Sequence, residues 1–183
     1  MKFKTFINEA SSMVTIYHGD NYGTKKLDPK LMNNGNNQEG IGVYFGTLEV
    51  AKNYGKNIVS VTVNKKRFWG SRNLMSKHTN NNNVLHLFEI LHAIDNEPLY
   101  YMITDWGIDV SEPEDVTSEY LMELAKKMIT DEVRNFQITM AQAFGVVDFV
   151  DAWNKVFSNN LGTYNKDLDF YAIINPKVKL TKI

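Results

Sequence analysis

Short runs of alternating apolar and β-branched side chains occur near both ends of this chain. They span residues 14–18, 41–45 and 57–63 in the first third and 170–174 near the end, and Gly or Asn follows each run. A period of two is typical of strands with one buried face. We therefore predict four strands, and Val178 and Leu180 extend the last one on one face.

The middle of the chain instead repeats apolar side chains every three or four residues, the period of a helix with one buried face. This spacing predicts helices over 84–94, 116–128, 131–144 and 146–157. The polar run Asn80–Asn83 lies before the first of them and predicts an exposed turn.

Capping signals mark the start of two predicted helices. Thr47 precedes Leu48–Tyr54, and Ser111–Glu114 has the spacing of a capping box with Pro in the first turn. Strands at both ends with helices between them predict an α+β fold, in which the terminal strands pair and a helical insertion fills the middle. No linker is visible, so residues 10–183 are expected to form a single domain.

Composition narrows the possible functions. The 183 residues carry a formal net charge of −1, which argues against a large electrostatic footprint for nucleic acid. There is no cysteine, so disulfides and thiolate metal sites are excluded. His86 and His92 lie six positions apart and do not share a helix face, so no metal site is expected. No apolar run reaches membrane-spanning length, so no membrane association is expected.

The first third of the chain contains the candidate cofactor-binding residues. His18 and Gly19 end the first predicted strand, Gly40–Gly46 reads Gly-Ile-Gly-Val-Tyr-Phe-Gly, and the next predicted helix ends at Tyr54. This order resembles the nicotinamide-binding half of the ADP-ribosyltransferase fold. The resemblance implies a split antiparallel sheet, NAD as co-substrate and transfer of ADP-ribose.

The resemblance also implies roles for individual residues. His18 would bond a ribose hydroxyl, and the Gly19 backbone would bind the nicotinamide amide. Tyr44 and Tyr54 would form an aromatic slot, which suits a flat cationic ring. Ala51 stands where many members of the family carry Ser, so one hydrogen bond to the nicotinamide amide would be missing.

The third family element is a Glu that opens a late strand and stabilises positive charge on the ribose. Residues 167–176 contain no Glu. Asp169 falls closest to the expected position, and Asp167 is next on the same face. The segment Asn33–Glu39 would cover the adenylate side of NAD as a donor loop.

Each candidate residue also has a simpler structural interpretation. His18 can be an ordinary polar residue, Tyr44 and Tyr54 can be core tyrosines, and the aspartates can solvate a strand entrance. Two hypotheses follow. One is a mono-ADP-ribosyltransferase that modifies a host protein or nucleic acid, with an NAD glycohydrolase as the variant in which water is the acceptor. The other is a catalytically degenerate protein of the same fold that binds and inhibits a host factor.

The N-terminal segment has a pattern of its own. Phe3, Phe6 and Ile7 share one helix face, which is consistent with a short helix docked on the domain. The segment also resembles the capsid-targeting peptides of internal head proteins in tailed phages. That resemblance implies cleavage by a prohead protease between Glu9 and Ala10, packaging in the virion interior and delivery with the DNA to the host cytoplasm.

Overall fold

The computed structural model describes residues 12–32 and 39–183. The expected packaging segment at residues 1–9 lies outside the described residues, as does all of the expected donor loop except Glu39. The described chain is of the α+β class, as predicted, with six α-helices and two sheets. It divides into two compact units. The first contains the described residues up to Gly70 together with Asn159–Ile183, and the second is Ser71–Ser158.

The first unit holds both sheets and one helix. Its elements are β1 (Met13–Asp20), β2 (Val43–Phe45), α1 (Leu48–Tyr54), β3 (Asn57–Asn64), β4 (Phe68–Gly70), β5 (Gly162–Asn165), β6 (Phe170–Ile173) and β7 (Thr181–Lys182). One sheet has the order β1-β3-β7 and the other β2-β6-β5-β4, in which β4 and β5 run parallel while the other neighbours are antiparallel. Strands from the two ends of the chain therefore pair in both sheets, as predicted.

The two sheets meet where β1 passes the end of β2. Tyr17 and Gly46 exchange two backbone hydrogen bonds there, each with an N···O distance of 2.9 Å. On the other side of β1, the Val-rich strand β3 pairs with it over eight residues, and Val59, Val61 and Val63 are buried. Strand β1 therefore lies at the edge of its own sheet and is linked to the second sheet through Gly46.

Helix α1 lies directly against β1 because glycine occupies the points of contact. A Cβ on Gly19 would lie 1.9 Å from the Ala51 carbonyl oxygen, and one on Gly55 would lie 2.1 Å from the Asp20 carbonyl carbon. Only a residue without a side chain permits backbones to approach so closely. Thr47 caps the helix by accepting a hydrogen bond from the Val50 amide at 3.3 Å, as its sequence position predicts.

The second unit is helical and is built around an aromatic core. Its helices are α2 (Asn81–His92), α3 (Glu97–Asp105), α4 (Ser118–Met128), α5 (Val133–Phe144) and α6 (Val146–Val156). The indole of Trp153 is fully buried, and the rings of Phe136, Phe149 and Phe157 surround it at centroid distances of 6.3, 5.6 and 4.6 Å. The helical stripes seen in the sequence therefore reflect packing within this unit.

Short 3₁₀ turns connect several of the elements, at Pro29–Leu31, Lys65–Arg67, Met75–Lys77 and Pro113–Asp115. None of the helices in the described part of the chain combines the length and apolar character that crossing a bilayer requires.

Three local predictions are wrong. Val178 and Leu180 do not extend the last predicted strand, because β6 ends at Ile173 and β7 begins only at Thr181. The Asn80–Asn83 run is not an exposed turn, because the Asn80 side chain accepts a hydrogen bond from the Asn83 amide at 3.0 Å and starts α2. Ser111–Glu114 does not open a helix. Its last two residues belong instead to the 3₁₀ turn Pro113–Asp115, and α4 begins only at Ser118. The sequence also did not predict β4, β5 or α3, whose short segments lack a clear period.

Candidate functional site

A cavity of about 820 Å³ lies in the first unit, within the size range of ligand pockets in proteins. Its walls come from β1, β2, α1, the segment that follows β1 and the hairpin between β5 and β6. The cavity brings together four of the predicted site residues, His18, Gly19, Tyr44 and Tyr54. The fifth, Asp169, is not among the residues that line it.

The His18 ring is held in one orientation by the neighbouring strand. Its Nδ1 lies 2.8 Å from the Tyr44 carbonyl oxygen, and its ring centroid lies 5.4 Å from that of Phe45. A carbonyl oxygen can only accept, so Nδ1 must carry the proton and donate it. In the neutral ring Nε2 is then the acceptor, which is suited to an incoming hydroxyl.

Asp20 lies next to the other side of the His18 ring, with Oδ2 3.6 Å from Nε2. Three backbone amides donate to its carboxylate, from Tyr22 at 2.7 Å, Gly23 at 2.5 Å and Thr24 at 3.0 Å. Burial raises the pKa of Asp20, but hydrogen bonds from Thr24, Gly23 and Tyr22 outweigh that effect and hold the pKa below its usual value. Asp20 is therefore a fixed negative charge beside the imidazole.

The Tyr44 hydroxyl is fully engaged by the chain just before β2. It donates to the Gly40 carbonyl oxygen at 2.8 Å and accepts from the Glu39 amide at 3.3 Å. Burial raises its pKa to about 12, although the Glu39 amide bond acts in the opposite direction. The hydroxyl thus stays protonated, and Tyr44 offers its ring to the cavity.

Tyr54 differs from Tyr44 in its exposure. It is the last residue of α1, lines the cavity and is 65% exposed. Ala51, one turn earlier on the same helix, lines the cavity and is buried. An exposed aromatic ring at the cavity edge is available to cover a planar ligand.

The predicted late-strand carboxylates lie elsewhere. Asp167 and Asp169 are exposed residues of the turn between β5 and β6. Asp169 has a φ of 50° and accepts a hydrogen bond from the Tyr164 hydroxyl at 3.1 Å. Burial is the main cause that raises the pKa of Tyr164 to about 12, and the Asp169 charge adds to it.

Other carboxylates do line the cavity. Asp20, Asp28 and Glu39 lie in its wall, against one lysine, Lys26. The described lining is therefore net negative at neutral pH and favours a cationic group. Sequence reasoning did not single out Asp20 or Asp28, although an Asp followed by Asn-Tyr-Gly is typical of a side chain that bonds its own turn.

The described residues contain no group of three His, Asp or Glu side chains placed to hold a metal ion. Comparison of the chain with known protein families, with curated proteins and with solved structures finds no match. Function is therefore argued from the geometry of the cavity.

Proposed function

We propose that the protein is an NAD-dependent mono-ADP-ribosyltransferase that modifies a host macromolecule. The observation that carries the proposal is the single cavity lined by His18, Gly19, Tyr44 and Tyr54. These residues come from a strand, a second strand and a helix in the order that the family resemblance implies. The two sheets that meet at Tyr17 and Gly46 are compatible with the split sheet of that fold.

In this proposal the nicotinamide ring lies between the rings of Tyr44 and Tyr54. The close approach of β1 and α1 leaves the Gly19 backbone at the cavity wall, where it can hydrogen-bond the carboxamide. The net negative lining favours the cationic pyridinium over neutral nicotinamide, so the product leaves more readily than the substrate.

His18 positions the ribose next to that ring. Its Nε2 accepts a hydrogen bond from a ribose hydroxyl, because Nδ1 already donates to the Tyr44 carbonyl. This hydrogen bond keeps the ribose in a single orientation, which lowers the entropic cost of reaching the transition state.

The reaction breaks the bond between C1′ of the ribose and the nicotinamide nitrogen. The bonding electron pair moves to that nitrogen, and positive charge develops on C1′ and the ring oxygen. A nucleophile of the acceptor then adds to C1′ and releases its proton to solvent. A carboxylate near the ribose stabilises the developing charge, and the family resemblance gives this role to Asp169.

Incubation of the protein with NAD labelled in the nicotinamide or adenylate half tests the proposal. We expect release of labelled nicotinamide, and His18→Ala should reduce it by about 100-fold or more because ribose positioning is lost. His86→Ala is the matched control, since that imidazole is exposed on α2 in the second unit. A wild-type protein that neither binds nor cleaves NAD would refute the proposal.

A second candidate function is supported by the position of Asp169 outside the cavity lining. A protein of the same fold without turnover would bind and block a host factor. NAD binding by calorimetry, together with no nicotinamide release under any acceptor condition, would favour this alternative over the transferase.

For delivery, we propose that residues 1–9 are a packaging signal removed at the Glu9–Ala10 bond. The support is the sequence alone, with Phe3, Phe6 and Ile7 on one face and an Ile-Asn-Glu cleavage signal. Mass spectrometry of purified phage particles should find a mature protein that begins at Ala10. An intact N-terminus, or absence of the protein from particles, would contradict the proposal.

A further inference from the structure

One carboxylate of the first unit is both deeply buried and part of the cavity wall. Glu39 is only 3% exposed, and it lines the cavity. A carboxylate is almost never buried unless other groups hydrogen-bond it or a function requires it. Glu39 therefore needs an explanation that the predicted donor loop does not provide.

Strand β5 holds Glu39 at two points. The Thr163 hydroxyl donates to the Glu39 carbonyl oxygen at 2.5 Å, and the Asn165 amide nitrogen donates to the Glu39 carboxylate at 2.6 Å. Thr163 is completely buried and Asn165 is 3% exposed. Since the two residues are two positions apart on one strand, they face the same side of the sheet.

The orientation of the Asn165 amide is fixed by its other bonds. Its oxygen accepts from the backbone amides of Asp167 at 2.9 Å and Leu168 at 3.3 Å. The amide nitrogen must therefore point at Glu39, which acts as the acceptor. This is the arrangement expected for a carboxylate that is held in place while it carries negative charge.

The same hairpin relates Glu39 to the cavity wall. Asn165 pairs directly with Phe170, and residues opposite one another in an antiparallel pair share a face. Phe170 lines the cavity. Tyr164 lies on the other face, where its ring stacks on Tyr171 at 4.4 Å and its hydroxyl bonds Asp169.

The two acidic groups near this hairpin are thus held on different sides of it. The Glu39 carboxylate is bonded by Asn165 and belongs to a residue that lines the cavity, whereas the Asp169 carboxylate is bonded by Tyr164 and belongs to a residue that does not. Given the transferase activity proposed above, on which this step depends, we propose that Glu39 rather than Asp169 is the catalytic carboxylate. Glu39 lies in the loop before β2 and extends past β6 to bond β5. It would take the role that the family resemblance gives to a residue of the late strand.

In this proposal Glu39 acts through its negative charge. As the C1′–N bond breaks, its electron pair leaves with nicotinamide, and positive charge forms on the ribose ring. Glu39 stabilises that charge without forming a bond, and Asn165 prevents the carboxylate from turning away. The acceptor then supplies the new bond to C1′ and loses its proton to solvent.

Glu39→Gln is the decisive variant, because Gln keeps an oxygen that can accept from Asn165 but carries no charge. We expect kcat for nicotinamide release to fall by about 100-fold or more, while the Kd for NAD changes by less than about threefold, since the charge acts mainly on the transition state. Asp169→Asn is measured in the same way as the test of the rival carboxylate, and a larger loss of kcat there than in Glu39→Gln would return the role to Asp169.

Thr163→Val distinguishes the charge of Glu39 from its part in anchoring the loop to β5. It removes the bond to the Glu39 carbonyl but keeps the carboxylate, so we expect a Tm lower by about 2–6 °C with kcat retained. If Glu39→Gln does not fold, Glu39→Asp provides the test, since a shorter carboxylate should retain the fold and lose most of kcat.

The outcomes distinguish the two proposals. If the wild type releases nicotinamide and Glu39→Gln stays within about threefold of it in a folded protein, the role of Glu39 is rejected and the transferase stands. If Thr163→Val loses as much kcat as Glu39→Gln, the effect is structural and the role is rejected. If the wild type binds no NAD, the transferase is rejected and the role of Glu39 with it.

Discussion

The two units of this protein bury different kinds of side chain. Among the described residues, the second unit buries two polar side chains, Ser71 and Gln137, around an otherwise apolar and aromatic core. The first unit buries seven, namely Ser12, Glu39, Ser60, Asn160, Thr163, Asn165 and Asn175. Buried polar groups require specific partners, so the first unit depends on more fixed hydrogen bonds than the second, and among these seven residues Glu39 lines the cavity.

Charge separates the units as well. Residues 1–70 with 159–183 contain 14 Lys and Arg against 7 Asp and Glu, a net charge of +7. Ser71–Ser158 contains 6 against 14, a net charge of −8. The value of −1 for the whole chain therefore conceals two opposite charges, and a low total does not exclude an anionic partner for the first unit.

The largest effect is expected where the first unit depends on close backbone contact. Gly19→Ala places a Cβ 1.9 Å from the Ala51 carbonyl oxygen, so β1 and α1 must separate. We expect the free energy of unfolding to fall by about 4 kcal/mol or more. Gly46→Ala is the control, because the nearest atom would lie at 3.4 Å. Equal stability of the two variants in urea titrations would show that the contact is not essential.

The second unit should instead be most sensitive to loss of packing. Trp153→Ala removes the fully buried indole among three phenylalanines and should cost about 3–5 kcal/mol. Trp153→Phe should cost less, because most of the volume remains. Calorimetry at a temperature where the variant is folded should show wild-type affinity for NAD, and a large loss of affinity would contradict the placement of the site in the first unit.

A smaller and purely functional effect is expected at the cavity edge. Tyr54→Ala should weaken NAD binding by about 1–3 kcal/mol, the scale of a lost aromatic contact, and should leave Tm nearly unchanged because Tyr54 is 65% exposed. Tyr101, which is 58% exposed on α3 in the second unit, provides the matched Tyr→Ala control. Unchanged NAD affinity in folded Tyr54→Ala would remove this residue from the site.

The smallest effects concern two aspartates whose pKa values shift in opposite directions. The pKa of Asp20 lies below its usual value, so its contribution to stability is present above pH 3.8 and is lost as the pH falls through its folded pKa. Burial raises the pKa of Asp131 in the second unit. The contribution of Asp131 to stability is therefore lost as the pH rises through its folded pKa.

At pH 7, Asp20→Asn should therefore destabilise the protein, by about 1–2 kcal/mol, because one acceptor of the turn is lost. Asp131→Asn should stabilise it by a few tenths of a kcal/mol, about the scale of a partly screened charge. Thermal unfolding at pH 7 and in acid checks both signs, and the effect of Asp20→Asn should shrink in acid. The same sign for both variants at pH 7 would contradict the assignment.

The sequence predicted those parts of the fold that depend on local signals. Strand β1 follows from its run of apolar and β-branched side chains, although it spans Met13–Asp20 rather than 14–18. Helix α1 follows from the Thr47 cap and has the predicted bounds. Strand β5 was missed because Gly-Thr-Tyr-Asn has no apolar period and is a strand only through its neighbours. The Asn80–Asn83 run was wrongly predicted to be a turn because Asn is favoured both at helix N-caps and in turns.

The candidate site likewise contains residues that the sequence could predict and residues that it could not. His18, Gly19, Tyr44 and Tyr54 could be named because they lie in one short, ordered motif. The environment of Glu39 could not be predicted, because its carboxylate bonds Asn165, which lies 126 positions away along the chain. The position of Asp169 likewise depends on the face that Tyr164 occupies, which only the pairing of β5 and β6 determines.

The parallel pairing of β4 with β5 also has a consequence for the order of folding. These strands are separated in sequence by all of Ser71–Ser158, so pairing them directly from the unfolded chain would require closing a long loop. If the helices of the insertion form first, their mostly local contacts remove most of that entropic cost. We expect pulsed hydrogen exchange to find the amides of α5 and α6 protected before those of β5, the strand that carries Asn165.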